Sequence, residues 1–355
     1  MQTNLKLSIS FESQLSKVIK KDSKYLYISL TTVLSDIKEC CIISVNVCSR
    51  EERKMESIRE EIQQLKKEKN AVILAHYYVP GEVQEIADYV GDSYYLSKMA
   101  KQTDADVIVF AGVAFMGESA KILNPDKMVL LPDEEADCAM AHMASAEKVR
   151  QMRSQYEDLA VVCYINSTAE LKTVSDVCVT SSNAVEIVNA LPNKNIFFIP
   201  DGNLAAYVAE QVPQKHVIRN DGYCPVHRAV DAGEVQKAKE AHPEALFLVH
   251  PECTKEVLAL ADFVGSTKGI IRFAEESDAK EFLVGTEEGV LYELRKNNPE
   301  KTFYSVMPGC CQDMKRVTLK KVLDCLKEEK HQVEMEEETR ILAQKALDRM
   351  LELAK

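Results

Sequence analysis

Several common signatures are missing from this sequence, and each absence argues against a class of protein. No apolar run approaches the roughly 18 residues that suggest a membrane-spanning helix. Neither a GxGxxG stretch nor a Walker A motif occurs, so nucleotide binding has no support. Lysine and arginine form no separate cluster, and the net charge of −12 argues against a nucleic-acid surface. We therefore expect no membrane and no nucleic-acid partner, and we expect a cytoplasmic protein.

The sequence also lacks any CxxC pair and any recognisable secretory segment. Its 11 cysteines are scattered over 355 residues, unlike the dense disulfide framework of a small secreted domain. Without CxxC, a structural zinc ribbon is also disfavoured. We expect core thiols together with a metal site, in a reducing compartment.

Residues 1–54 do not share the pattern of the rest of the chain and show little periodicity. We interpret them as an N-terminal extension or a start-site artefact, poorly ordered and with no part in the site. Met55 opens a predicted helix in which Ser57 can cap and Glu60 can reach back. Met55 is therefore a candidate start.

The rest of the chain is organised around three loops that end in cysteine. Cys138 and Cys224 are 86 residues apart, and Cys311 follows Cys224 by 87 residues, although Cys310 satisfies the spacing almost as well. Before each loop the sequence repeats. The similar stretches are residues 71–93, 160–182 and 245–267. Three copies of one unit therefore each deliver one thiol to an equivalent place.

Within each copy, continuous apolar strands alternate with helices, which is typical of parallel sheets covered on both faces. We expect an α/β fold of three homologous small sandwich domains around a pseudo-threefold axis. The predicted units are residues 55–138, 139–224 and 225–311, and residues 312–355 form C-terminal helices that pack back on a domain. The last helix has one apolar face, made of Ile341, Leu342, Ala346, Leu347, Met350 and Leu351.

Polar residues follow the first strand of each unit, where ligands of parallel α/β folds bind. They are His76, Tyr77 and Tyr78; Tyr164, Ile165 and Asn166; and His250, Pro251 and Glu252. A hydroxyl comes 17 residues after the first member of each set, at Ser93, Ser181 and Thr267. These hydroxyls begin helices, whose free amides bind carboxylate or phosphate. Helix capping is the alternative for each one alone, but three equivalent hydroxyls favour anion binding.

The cysteines divide by their surroundings. Cys163, Cys178 and Cys325 fall in apolar strands or on an apolar helix face, so they are expected to be buried core thiols. Cys138 and Cys224 lie in polar loops instead. Three thiolates can hold zinc, or a [4Fe–4S] cluster with one iron free of protein ligands.

His227, three residues after Cys224, is a candidate fourth ligand, a substrate contact or a plain surface histidine. A zinc hydrolase or lyase would use the same three thiolates. An iron–sulfur sensor is the non-enzymatic alternative, but it would not need the ring of polar strand-end residues.

Eight motifs fall at the positions already described: LAHYY, GDS, YINS, TSSNA, DGYCPVH, HPEC, GSTKG and CQDMK. By these motifs the chain, from Met55 to its end, resembles the quinolinate synthase family of NAD biosynthesis. The resemblance implies three α/β domains and one [4Fe–4S] cluster on Cys138, Cys224 and Cys311. It selects Cys311 over Cys310 by the Gln-Asp-Met-Lys that follows. The CxxCxxC of one family branch is missing here, so no disulfide switch of that kind is implied.

The resemblance also implies the reaction, in which iminoaspartate condenses with dihydroxyacetone phosphate to give quinolinate, phosphate and water. L-aspartate oxidase would supply the iminoaspartate. The implied substrate contacts are His76, Ser93, Tyr164, Ile165, Asn166, Ser181, His227, His250, Pro251, Glu252 and Thr267. We expect proton transfers at Glu252, Tyr78, His76 and His250, with Glu252 as general base and Tyr78 as acid or base.

Overall fold

The central strands of the fold are short apolar runs that are buried along almost their whole length. The computed structural model describes residues 53–354. Its strands are β1 (Ala71–His76), β2 (Tyr89–Gly91), β3 (Val107–Ala111), β4 (Met128–Leu130), β5 (Leu159–Tyr164), β6 (Val177–Val179), β7 (Asn195–Ile199), β8 (His216–Arg219), β9 (Leu246–Val249), β10 (Phe263–Val264), β11 (Glu281–Gly285) and β12 (Thr302–Ser305). The prediction for residues 1–54 lies outside the described residues, except for the last two.

These strands form three four-stranded sheets with one topology. The strand orders are β2-β1-β3-β4, β6-β5-β7-β8 and β10-β9-β11-β12, and every pairing is parallel. The first strand of each sheet lies between the second and the third, so it is an interior strand with a neighbour on both sides. The predicted α/β class with three similar parallel sheets is confirmed. Each sheet lies within one predicted unit, while the unit boundaries stay predictions.

Helices connect the parallel strands, as such crossovers require. Residues Ile58–Lys355 form one compact unit that contains all three sheets. The helices are α1 (53–68), α2 (Gly81–Ile86), α3 (Ser93–Gln102), α4 (Ala114–Leu123), α5 (Ala146–Gln155), α6 (Ala169–Thr173), α7 (Ala184–Ala190), α8 (Gly202–Gln211), α9 (Pro225–Arg228), α10 (Ala232–Ala241), α11 (Lys255–Leu258), α12 (Thr267–Glu276), α13 (Val290–Asn297), α14 (Gln312–Lys315), α15 (Leu319–Glu328) and α16 (Glu337–Leu353). A 3-10 helix spans Ala139–His142. Among residues 53–354, no helix is long and apolar enough to cross a membrane.

One set of contacts recurs in all three units and explains why their first strands lie alike. An aspartate before the second strand accepts a first-strand N–H and pairs with a basic residue of the preceding helix. The sets are Asp88 with Ile73 (2.8 Å) and Lys66 (2.7 Å), Asp176 with Val161 (2.7 Å) and Arg153 (2.9 Å), and Asp262 with Phe247 (2.8 Å) and Lys239 (2.9 Å). The repeat in sequence is therefore also a repeat of contacts.

The last helix, α16, packs on α6 and β6 of the second unit through a narrower face than predicted. Ala343, Ala346, Leu347 and Met350 are buried at helical spacing. The prediction that Ile341 and Leu342 belong to this face was wrong, because their side chains are 46% and 38% exposed.

The predicted cap at the start of α1 was also wrong. The helix is already formed at residue 53, so Ser57 lies inside it rather than at its first turn.

Candidate active site

A cavity of about 350 Å³ opens at the carboxyl ends of the first strands of all three sheets. Its wall includes Tyr78, predicted for proton transfer, and most of the predicted substrate contacts: His76, Ser93, Tyr164, Asn166, Ser181, His227, His250, Glu252 and Thr267. Ile165 and Pro251 are buried but do not line it. The Ile165 N–H bonds to the Val179 carbonyl at 2.8 Å, and its side chain packs into the core. The first and third residues of each strand-end set therefore line the cavity, and the middle residue does not.

His76 and His250 occupy equivalent positions, and each is held in one tautomer. The Nδ1 atom of His76 accepts the Tyr78 N–H at 3.2 Å, and that of His250 accepts the Glu252 N–H at 3.3 Å. Burial lowers the pKa of each ring to about 3, although the charge of Glu252 acts in the opposite sense. Both rings are therefore neutral at pH 7 and carry the proton on Nε2, as hydrogen-bond donors rather than cations.

The three predicted hydroxyls line the cavity, and at Ser93 and Thr267 the residue before the hydroxyl caps the helix. The caps are Asp92, which accepts the Tyr95 N–H at 2.9 Å, and Ser266, which accepts the Gly269 N–H at 3.1 Å. Ser93 and Thr267 are the first residues of α3 and α12. Ser181 precedes α7, whose N-cap position is Asn183. The capping alternative is therefore wrong for Ser93 and Thr267, whose side chains are left for other contacts.

A hydrogen-bonded chain of five side chains runs along one wall of the cavity. Glu252 Oε2 lies 2.8 Å from His227 Nδ1, and His227 Nε2 lies 3.0 Å from Thr286 Oγ1. The Tyr78 hydroxyl lies 2.8 Å from Thr286 Oγ1 and 2.7 Å from Thr267 Oγ1. Glu252 and Tyr78, the predicted base and acid, are thus connected through His227 and Thr286.

The direction of this chain follows from the ionised state of Glu252. Burial opposes its ionisation, but electrostatic attraction to the rings of His250 and His227 and hydrogen bonds from His227 and Tyr164 outweigh burial and lower its pKa to about 2. His227 Nδ1 therefore donates to Glu252, and the Thr286 hydroxyl lies against Nε2 on the other side of the ring.

Tyr78 supplies the other end of the chain. Burial raises its pKa well above the usual range, so its hydroxyl is protonated and can donate to Thr286. Thr286 in turn can donate to His227, because one hydroxyl both donates and accepts. His227 is only 1% exposed, so its interpretation as a surface histidine was wrong. Thr286 was missed, although it directly follows β11, a strand end where the rule for polar residues also applies.

Cys138, Cys224 and Cys311 all face the cavity, as does Cys310. The first three each stand at the N-cap position of a short helix: the 3-10 helix, α9 and α14, respectively. Cys310 has no such counterpart, which favours Cys311 as the third equivalent thiol. Cys163, Cys178 and Cys325 are completely buried, as expected for core thiols.

An acidic side chain accepts the backbone N–H of each of the three cysteines at helix N-cap positions. The pairs are Asp137 with Cys138 (2.7 Å), Asp201 with Cys224 (3.1 Å) and Glu287 with Cys311 (3.2 Å). Asp201 and Glu287 are the second residues after the third strands of their sheets, β7 and β11. Both were missed by sequence reasoning, and both are almost fully buried.

The spacing of the thiols bears on which metal group they fit. Two sulfurs bound to one zinc at about 2.3 Å can be no more than about 4.6 Å apart. Within residues 53–354, the only set of three such ligands with all donor atoms within 4.8 Å is Cys224, His227 and Glu252. The three thiols are therefore too widely spaced to share one zinc ion.

The electrostatics of the thiols also fit a cationic group between them. Burial raises the pKa of Cys138 to about 12 and that of Cys311 to about 11. It raises the pKa of Cys224 well above the usual range, and the charge of Glu252 adds to that effect. Bare thiolates are thus disfavoured here, whereas metal binding deprotonates thiols outright.

Comparison with known proteins gives one consistent family. Residues 60–352 match the family model described as "Quinolinate synthetase A protein". A quinolinate synthase of Caldicellulosiruptor saccharolyticus is 54% identical over 301 residues, which cover 84% of this chain and 99% of that protein. A quinolinate synthase of Clostridioides difficile is 51% identical over 298 residues, which cover 83% and 96%. The chain therefore belongs to the quinolinate synthetase A family, as its motifs predicted.

Proposed function

We propose that this protein is a quinolinate synthase of de novo NAD biosynthesis. It condenses iminoaspartate with dihydroxyacetone phosphate and releases quinolinate, phosphate and water. The observation that carries the proposal is the connection of Glu252 to Tyr78 through His227 and Thr286, beside three equivalent thiols. Family membership supports the same reaction.

Cys138, Cys224 and Cys311 would hold one [4Fe–4S] cluster, with one iron free of protein ligands. When bound, that cluster supplies a Lewis acid for a departing oxygen. The hydrogen bonds of Asp137, Asp201 and Glu287 to the cysteine amides support this assignment, because they fix the three loops before a cluster is bound.

Anionic substrates are recognised by neutral donors in this cavity. His76 and His250 offer Nε2–H groups, and the first turns of α3 and α12 offer free backbone amides. The hydroxyls of Ser93 and Ser181 add donors of the same kind. Carboxylate and phosphate groups need several convergent donors, so these residues bind and orient both substrates.

Glu252 and Tyr78, which the hydrogen-bonded chain connects, carry out the proton transfers. Each dehydration removes a proton from carbon and returns one to the leaving hydroxyl. Glu252, ionised and buried, takes the first proton, and Tyr78 donates the second. After each dehydration Glu252 holds one proton more and Tyr78 one fewer, and the transfer of one proton from Glu252 to Tyr78 restores both groups.

The proposal also covers the source of the substrate and the compartment of the reaction. An L-aspartate oxidase activity supplies the unstable iminoaspartate, and the reaction takes place in the cytoplasm. The net charge of −12 is consistent with small-molecule substrates and no nucleic-acid partner.

Anaerobic purification followed by metal analysis and a quinolinate assay tests the proposal. We expect four iron and four sulfide per chain, broad visible absorption, and quinolinate formed from iminoaspartate and dihydroxyacetone phosphate. One zinc per chain without iron would overturn the cluster assignment. A full cluster without quinolinate formation would overturn the proposed reaction and favour an iron–sulfur sensor.

A further inference from the structure

Glu287 is a buried carboxylate that the proposed chemistry does not use, and it is only 1% exposed. Its Oε1 lies 2.8 Å from Lys315 Nζ and accepts the Cys311 N–H at 3.2 Å, and its Oε2 accepts the Gly289 N–H at 2.7 Å. Lys315 Nζ also donates to the Tyr78 carbonyl at 2.8 Å. One ion pair thus joins the backbone of Cys311 to the backbone of Tyr78.

The loop that carries Tyr78 is held from two further sides. The buried Gln84 side chain donates from Nε2 to the carbonyls of Tyr77 and Val79 at 2.9 Å each, and to that of Gly289 at 3.2 Å. A Cβ at Gly289 would lie 2.7 Å from the Tyr78 backbone, so only glycine permits this approach. The position of Tyr78 therefore depends on the third unit, which also carries Cys311.

Asp201 shows that holding a cysteine loop does not by itself require a cation. It follows β7 as Glu287 follows β11, and it accepts the Cys224 N–H at 3.1 Å. Its other oxygen accepts the N–H groups of Asn203 and Leu204 at 2.8 and 2.7 Å. Backbone N–H groups thus provide all of these hydrogen bonds to Asp201. Glu287 instead pairs with Lys315, which also donates to the loop that carries Tyr78.

We propose that Glu287 and Lys315 are positioning residues that hold the Cys311 thiol and the Tyr78 hydroxyl in fixed relation across the cavity. The importance of this relation rests on the proposed function, in which both groups act on one substrate. Loss of the Lys315 cation leaves Glu287 buried without its partner and the Tyr78 carbonyl without this donor. Because misplacement by about 1 Å can cost a hundredfold in rate, the pair is expected to affect kcat more than KM.

Amide hydrogen exchange on the full-length cluster-loaded protein tests the contact directly. In Lys315→Met we expect exchange to accelerate about tenfold in the segments around Tyr78 and Cys311. The segments around Cys138 and Cys224 serve as references within the same molecule and should keep their rates. Lys315→Arg, which retains the charge, should restore most of the protection.

Steady-state kinetics on the same variants test the consequence. We expect Lys315→Met and Glu287→Gln to lower kcat about tenfold to a hundredfold, with KM within about twofold of wild type. The two changes together should cost little more than either alone, because both break one connection. Lys321→Met is the matched control, since Lys321 pairs with the buried Asp133 and touches neither loop. It should lower stability and leave kcat unchanged.

Equal acceleration of all four segments in Lys315→Met would mean a general loss of stability and would overturn the proposal. Unchanged exchange at Tyr78 and Cys311, or loosened loops with wild-type kcat, would overturn it equally. Failure of the proposed reaction is separable, because the wild-type protein would then form no quinolinate. The exchange result would still decide whether the ion pair holds both loops.

Discussion

The Tyr78 hydroxyl lies 2.8 Å from Thr286 Oγ1, although the two residues are 208 positions apart in the chain. Tyr78 belongs to the first unit and Thr286 to the third. Thr286 is completely buried, and its hydroxyl also meets His227 Nε2 at 3.0 Å. The contact therefore places an acid from one sheet at the end of a chain that begins at Glu252 in another.

Thr286→Val should interrupt this chain with little change in volume. We expect kcat to fall about tenfold to a hundredfold, because the Tyr78 hydroxyl loses a hydrogen-bond partner and its connection to His227, while KM stays near wild type. Thr286→Ser keeps the hydroxyl and should recover most of the rate. Steady-state kinetics with iron analysis decide the matter. Equal activities of the valine and serine variants would show that Thr286 has only a packing role.

Single substitutions can show whether Cys311 or Cys310 is the third cluster ligand. Cys311→Ser should abolish iron retention and activity, because Cys311 has the helix-start position shared by Cys138 and Cys224. Cys310→Ser should retain both. Iron and sulfide content of anaerobically purified protein is the measurement. The opposite pattern would move the third ligand by one residue.

Ser266 and Thr267 are neighbours with different roles, which makes them a matched pair. Ser266→Ala removes a helix cap and should lower stability by about 1 kcal/mol with kinetics largely kept. Thr267→Val loses no cap but removes the contact to the Tyr78 hydroxyl, so kcat/KM should fall about tenfold or more. Denaturant unfolding and steady-state kinetics on both variants test this. Equal kinetics in the Ser266→Ala and Thr267→Val variants would show that Thr267 has only a structural role.

Ser93 gives an independent test of anion binding, since Asp92 supplies the cap of α3. Ser93→Ala should raise KM or lower kcat/KM about tenfold or more, with stability close to wild type and cluster content unchanged. Wild-type kinetics in this variant would place the substrate anions elsewhere in the cavity.

The lowered pKa of Asp262 predicts that the stability of the fold depends on pH. Burial opposes its ionisation, but the Phe247 N–H and Lys239 outweigh burial and keep its pKa below the usual range. A lowered pKa contributes stability above the unfolded-state value, and that stability is lost as the pH falls below about 4. Asp262→Asn should therefore lower Tm at pH 7, with a difference that shrinks below about pH 4.

Thermal unfolding from pH 3 to pH 7 is the measurement for Asp262. The exposed Asp278 offers a control, since Asp278→Asn should leave Tm unchanged at every pH. A difference between Asp262→Asn and wild type that is constant with pH would show that the charge of Asp262 does not stabilise the fold.

Much of the fold could be predicted because its signals are local. Strands β3, β6 and β9, for example, are each an apolar run between polar turns, which is the pattern that predicted strands alternating with helices. Two of the helices predicted to begin at a hydroxyl do so, at Ser93 and Thr267, whereas α7 begins three residues after Ser181. Adjacent hydroxyl and carboxylate residues, such as Asp92 and Ser93, can both cap, and sequence spacing does not choose between them.

The sequence by itself determined three repeated α/β units, the polar ends of their first strands, the cysteine loops and the family. These features are set by periodicity and motif spacing within single units. Only the tertiary structure decided how the units face one another. The contacts of Tyr78 with Thr267 and with Lys315 span 189 and 237 residues. Such contacts depend on how separate sheets dock, and the local pattern of one chain segment does not encode that.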